Sequence, residues 1–245
     1  MKKGIIKGAL GLLYPARCPG CDGVLSGMQG SRLFCDECMA QLVPIRGRVC
    51  FRCGKPVRSG FSDLCRECEA AEASGRVTPV LQGRGAFVYT DVMKTAMYRL
   101  KYSGRRSYAG PLSKAAFSVW GGWLLGLGLD AIIPVPMYRE KESVRGYNQA
   151  GLLADSLGDM LSVPVYADIL VRKRNTIPQK GLNRENRQKN MKNAFKIRQS
   201  GVKFSCVLIV DDIYTTGATL YEASSIIKEA FGCRIFSFCI CMGAD

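Results

Sequence analysis

The chain has 245 residues, 47% of them apolar, and carries a formal charge of +15 with no histidine. That length suits one domain with a smaller attachment, and the charge points to polyanionic partners: nucleic acid, phosphorylated metabolites or an anionic membrane face. The missing histidine removes the usual general base and every His-containing metal site, leaving acid–base work to Asp, Glu, Lys or Tyr.

The opening MKKGIIKGALGLLY imitates a signal peptide, but Lys7 interrupts its apolar part and no small-x-small cleavage site follows. A short amphipathic helix is expected there, with a weak membrane-surface role open to it. The longest apolar run, Ala115 to Leu129, is interrupted by Gly121, Gly122, Gly126 and Gly128. It falls short of the ~20 residues needed to cross a bilayer, so an integral membrane protein is not expected.

Twelve cysteines divide sharply along the chain. Cys206, Cys233, Cys239 and Cys241 lie in apolar, strand-like stretches and read as reduced core residues. The other eight form the pairs Cys18/Cys21, Cys35/Cys38, Cys50/Cys53 and Cys65/Cys68. A CxxC knuckle donates two thiolates to one tetrahedral zinc, and two knuckles close a structural site. The gaps from Cys21 to Cys35 and from Cys53 to Cys65 both suit zinc ribbons. One or two structural Zn²⁺ ions are expected, paired sequentially or cross-braced. The segment has little hydrophobic mass, so metal would supply its folding free energy. Such cysteine usage fits a reducing, cytoplasmic setting better than a secreted one.

Glu69 to Thr78 is small and polar and reads as a linker, dividing a 1–75 metal-binding module from a 76–245 domain. Arg84 to Tyr89 is an extended segment. Asp91 to Lys101 has helical spacing and ends at Gly104. A second helix spans Pro111 to Leu125, and Ile132–Pro136 is a strand ending in prolines. A charged loop, the helix Asn148 to Leu161 and a strand Val165 to Val171 follow. Arg172 to Arg198 is strongly basic, with Glu185 its one acid. With Ala194–Ile197 as its returning strand, it reads as a hairpin with a cationic tip. Alternating strands and helices indicate an open α/β sheet with ligands at the strands' carboxyl ends.

Val207 to Val210 has the pattern of a strand buried on both faces. Asp211 and Asp212 end it, then Thr215, Thr216, Gly217, Ala218 and Thr219 lead into a helix. A hydroxyl-and-glycine turn before a helix makes a phosphate cradle of backbone N–H groups. The acids require another partner, sugar hydroxyls or a divalent metal. A ribose 5-phosphate bearing pyrophosphate carries all three groups. No GxxxxGK[ST] string occurs, which disfavours a nucleotide triphosphatase.

Val210 to Thr219 resembles the 5-phosphoribosyl-1-pyrophosphate (PRPP) motif of type I phosphoribosyltransferases. Three more landmarks accompany it: Leu100-Lys-Tyr-Ser-Gly104; Pro134-Val-Pro136 with Arg145-Gly-Tyr-Asn-Gln149; and Arg172 to Thr176 with Gln179, Arg187 and Asn190 ahead of Ala194-Phe195. With the cysteine pairs in front, the chain resembles the ComF family from end to end.

The resemblance implies an α/β fold: a type I phosphoribosyltransferase-like open, mainly parallel sheet with flanking helices, preceded by a small zinc-ribbon module. It implies a role in natural competence, the cytoplasmic handling of incoming single-stranded DNA, peripheral to the inner membrane at most. A competence helicase or an inner-membrane channel would be partners. Asp211 and Asp212 would hold the ribose hydroxyls, directly or through Mg²⁺, and Thr215 to Thr219 the 5-phosphate. The loop at Val135 and Pro136, with Lys101 and Arg145, would face pyrophosphate. Arg172, Arg184 and Arg187 are candidates to clamp the leaving group as bidentate phosphate ligands. Tyr214 departs from the pattern, and its side chain is expected to point away from the cradle. Tyr98, Tyr102, Tyr108 and Tyr147 are candidate stacking residues for DNA. A metabolic transferase with a small acceptor and a non-catalytic PRPP sensor are the other readings. No residue identifies an acceptor pocket.

Overall fold

The computed structural model describes residues 15–25, 33–57, 62–76, 78–174, 191–198 and 201–243. The N-terminal helix expected before residue 15, and the arginines at 184 and 187, lie outside them.

The centre is a four-stranded sheet with every neighbouring pair parallel. Its strands are β1 (Gln82–Val88), β2 (Ala131–Pro134), β5 (Cys206–Tyr214) and β6 (Arg234–Met242), in the order β1-β6-β5-β2. Cys206 to Val210 is buried throughout, as a strand with helices on both faces must be. Helices α3 (Asp91–Tyr102), α4 (Ala109–Leu125) and α6 (Gln149–Leu161) share one core with the sheet. Helix α3 packs through Val92, Met93, Ala96, Met97 and Leu100, the stripe its periodicity predicts. On the other face lie α7 (Ala218–Phe231) and the antiparallel pair β3 (Leu170–Arg172) and β4 (Phe195–Ile197).

Four expectations change. Strand β5 does not end at the acids but pairs with β6 as far as Tyr214↔Met242. Ile213 and Tyr214 are both good strand residues, and they carry the ladder past the carboxylates. Val165 makes only a bridge to Ile132, and the expected strand contracts to Leu170–Arg172. The charged loop after Pro136 contains helix α5 (Arg139–Arg145), stopped by Gly146 at φ 80°. The first half of the expected linker is helical, within α2 (Arg66–Ala73).

The cysteine-rich segment, which also carries the short helix α1 (Asp36–Ala40), is built into the sheet domain. Ile45 N–H donates to the Ala86 carbonyl at 2.8 Å, and Val88 N–H to the Val43 carbonyl at 2.9 Å, so residues 43–45 cover the open edge of β1. Phe34, Cys38 and Leu42 join the core of α3, while Arg105 pairs with Asp22 at 2.7 Å.

Candidate functional site

Successive strand residues face opposite sides of a sheet. Strand β5 runs through Asp211 and Asp212, and the two carboxylates take different partners while staying close enough to act on one another. Asp212 is 5% exposed, and its Oδ2 lies 2.5 Å from Lys101 Nζ at the end of α3. Burial works against the Lys101 charge, but the Asp212 carboxylate outweighs it and pushes that pKa up. Lys101 is thus engaged in neutralising a buried acid.

Asp211 accepts from Asp212 N–H at 2.9 Å and lies within the field of Arg172. Burial, then the Asp212 charge, raises the Asp211 carboxyl pKa to about 8. A sugar hydroxyl or a cation arriving at this carboxyl would favour its charged form. Arg172 rises from β3 with its guanidinium 5.7 Å above the Phe195 ring, and burial lowers its pKa against the opposing pull of Asp211.

Beyond β5 the chain bends through Thr215 and Thr216 to Gly217, whose φ of 75° excludes most side chains. A Cβ there would also collide with the Tyr214 hydroxyl. The expectation that Tyr214 points away from the cradle is therefore overturned: its ring lies over the turn. Helix α7 starts at Ala218 with no side-chain cap, leaving its first amides to other partners. Thr215 is exposed, whereas Thr216 Oγ1 is buried without a hydrogen-bond partner.

Across the strand from Val210, Val135 N–H donates to the Val210 carbonyl at 2.8 Å, which sets Pro136 beside the acids. The Arg145 to Gln149 landmark is largely scaffolding. Asn148 caps α6 through Ala150 N–H at 3.1 Å, while its amide donates to the Val135 carbonyl at 3.0 Å. Tyr147 donates to the Leu100 carbonyl at 2.5 Å. Arg145 donates to Gln149 and lies 5.1 Å from the Tyr102 ring centroid. Of the four tyrosines considered for stacking, Tyr108 and Tyr147 are buried, while Tyr98 and Tyr102 are exposed and pair at 5.1 Å.

The cysteines converge as two tetrads, Cys18/Cys21/Cys35/Cys38 and Cys50/Cys53/Cys65/Cys68, each with all sulfurs within 4.8 Å of one another. The pairing is therefore sequential, not cross-braced. The 3.7 Å between the Cys21 and Cys35 sulfurs and 3.6 Å between those of Cys53 and Cys65 rule out disulfides. They match the edge of a tetrahedron with Zn–S bonds of about 2.3 Å, roughly 3.8 Å. In the second tetrad the thiols act on one another, pushing the Cys50 and Cys65 pKa values down and those of Cys53 and Cys68 up. One half-buried cation is placed to balance a four-thiolate zinc: Arg84, clasped between Trp120 and Trp123 at 5.2 and 5.1 Å, lies in the field of Cys50 and Cys53. Lys55, 4% exposed, is paired with Glu67 at 2.7 Å. The donor set fits zinc at both sites.

Comparison with known proteins agrees. The double zinc ribbon domain family matches residues 9–69. Competence protein F of Haemophilus influenzae is 31% identical over 219 residues, covering 87% of this chain and 91% of that protein. The chain belongs to the ComF family. Competence protein ComFC of Bacillus subtilis is 30% identical over 203 residues, 80% of this chain and 78% of the relative. The DNA utilization protein YhgH of Salmonella typhimurium is 28% identical over 219 residues, covering 84% and 96%. Among the described residues no helix is long and apolar enough to cross a membrane.

Sequence reasoning found the strand, the turn and both tetrads. It missed the Lys101–Asp212 pair, whose members stand too far apart in the chain to leave a local signal. It also missed the position of Tyr214, which the bare Gly217 beside it would have suggested.

Proposed function

We propose that this ComF-family chain binds PRPP with Mg²⁺ and acts in natural competence, handling incoming single-stranded DNA at the cytoplasmic side of the membrane. One observation carries the PRPP reading: a strand of a parallel sheet delivers Asp211 to a turn in which Gly217, at φ 75°, opens an uncapped 14-residue helix beside the Val135–Pro136 loop. Helix-end amides suit the 5-phosphate. Asp211 suits a ribose hydroxyl or Mg²⁺, because Asp212 is already neutralised by Lys101. Mg²⁺ would supply charge neutralisation for departing pyrophosphate. Arg172, half-buried on β3 and within the field of Asp211, is the described arginine best placed to help.

The DNA reading draws on the relatives' names, on the charge of +15 and on the exposed Tyr98/Tyr102 pair beside Arg145. Aromatic faces with cations suit unstacked bases and make binding salt-sensitive. A competence helicase or membrane channel is the partner class this role calls for.

Thermal shift with PRPP and Mg²⁺ tests the site. The parent should be stabilised, and Asp211→Asn and Gly217→Val should lose that gain. No shift in the parent would sink the reading. Filter binding of a labelled oligonucleotide across a salt series tests the DNA role, with no retention at low salt as the failing result. Pyrophosphate release with a panel of acceptors separates turnover from sensing.

A further inference from the structure

A cavity of about 380 Å³ lies between the second zinc ribbon and the start of α7. Neither Asp211, Asp212, Val135 nor Pro136 lines it, so it is not the place where sugar and pyrophosphate would sit. One wall is α2 with the Arg52–Cys53 knuckle, and the other is the turn at Thr216–Ala218 with Tyr221. Tyr214 forms part of the lining, its ring packed on the cysteine cluster.

We infer that this cavity is a second ligand site, one that takes a nucleoside monophosphate. Size and lining suit a planar ring. The volume lies within the few hundred Å³ typical of small-molecule sites. Ala71, Val80, Met191 and Leu220 give it an aliphatic surface, and Tyr214 and Tyr221 supply aromatic groups. Base-to-aromatic contact is tolerant of base identity, so a ring is specified more strongly than one particular base.

The charges at the mouth add the phosphate. Glu67 pairs with Lys55 at 2.7 Å, Glu72 with Arg52 at 2.5 Å, and Glu222 accepts from Asn193 N–H at 2.5 Å. Arg76 and Lys192 have no carboxylate partner among the described residues, and Arg76 rests 6.0 Å over the Tyr221 ring. Glu67 and Glu72 are thus neutralised, while Glu222 accepts only a backbone N–H and keeps its charge; Arg76 and Lys192 together outweigh it, which suits one phosphate group. Inside, the buried and unpartnered Thr216 Oγ1 offers a hydrogen bond to a ring substituent or ribose hydroxyl. The inference does not rest on PRPP binding. Should both sites fill, the shared turn from Thr216 to Ala218 would let each ligand sense the other.

Isothermal titration calorimetry on the zinc-loaded full chain tests it. Uridine and adenosine 5′-monophosphates are titrated against inorganic phosphate, with and without saturating PRPP and Mg²⁺. At least one nucleotide should bind saturably with PRPP present, and ~10-fold or more tighter than phosphate. Ala71→Trp, which fills the cavity from α2, and Arg76→Ala at its mouth should each weaken the nucleotide by about 10-fold. Both should leave PRPP affinity unchanged. Arg76→Ala keeps the test open if the tryptophan perturbs the fold, which near-ultraviolet circular dichroism would report. Absence of nucleotide heat, affinity no better than phosphate, or binding that both variants leave intact would overturn the inference. A chain that binds nucleotide but not PRPP would sink the PRPP reading and leave this one standing.

Discussion

At the scale of single residues, two neighbouring aspartates have different duties. Asp212 is the inner half of a buried pair with Lys101, so removing one partner strands the other's charge. Asp212→Ala should destabilise the fold by roughly 3–5 kcal/mol. Loss of PRPP binding in that variant, or in an alanine double mutant, therefore says little about ligand contact. Asp211→Asn is the informative change. The Asp211 pKa of about 8 stands above the ordinary carboxylate value near 4, so the native state holds this proton more tightly than the unfolded chain. Its stabilising contribution is complete below pH ~4 and is lost as pH rises through about 8. In urea unfolding without ligand, Asp211→Asn should match the parent at pH ~3, below the ordinary carboxylate value, where the contribution is still complete. At pH 8.5 it should exceed the parent by more than ~1 kcal/mol, one pKa unit's worth. Equal stability at both values would place Asp211 in a more hydrated setting than its surroundings indicate.

At the scale of elements, the legible parts of the fold were those with a strong period or a single-residue stop. Helix α3 followed its apolar stripe, α6 the span from Asn148 to Leu161, and β2 its proline end. The end of β5 was not legible, because a pair of acids resembles a strand terminus until a tertiary partner such as Lys101 is available to bury one of them. Helix α5 was hidden by its charges: Arg139 to Arg145 has no buried residue and so no apolar stripe to announce it. The phosphate-type turn was legible because its chemistry is local. The cavity was not, since its walls come from opposite ends of the chain, the ribbon around Cys53 and the turn around Gly217. Two changes test the turn and its support. Gly217→Ala forces a side chain into positive φ and onto the Tyr214 hydroxyl, and should cost about 1–3 kcal/mol in denaturant unfolding. Asn148→Ala removes a cap and a bond to the Val135 loop, and should cost about 1–2 kcal/mol. A Gly217→Ala protein as stable as its parent would mean that the turn adopts another conformation in solution.

At the scale of the whole molecule, the two ribbons are attached at different places. The first is anchored to α3, where Arg99 donates to the Pro19 carbonyl at 3.2 Å and Cys38 shares the core of Met93 and Met97. The second abuts the site, because Cys50, Cys53 and Cys65 form a cluster against which Tyr214 packs. Metal at the first tetrad therefore supports the core, and metal at the second supports the turn. Zinc analysis should return two ions per chain, and one in either a Cys21→Ser/Cys35→Ser or a Cys50→Ser/Cys53→Ser variant. Both variants should melt lower, since a ribbon without its metal lacks the mass to fold. They should part in ligand response. The first should keep most of the PRPP-induced thermal shift at temperatures where it is folded. The second should lose it, because Tyr214 then has no rigid surface to hold it over Gly217. Equal loss in both variants would mean that the ribbons act as one block and that Tyr214 carries no special link between the second metal site and the turn.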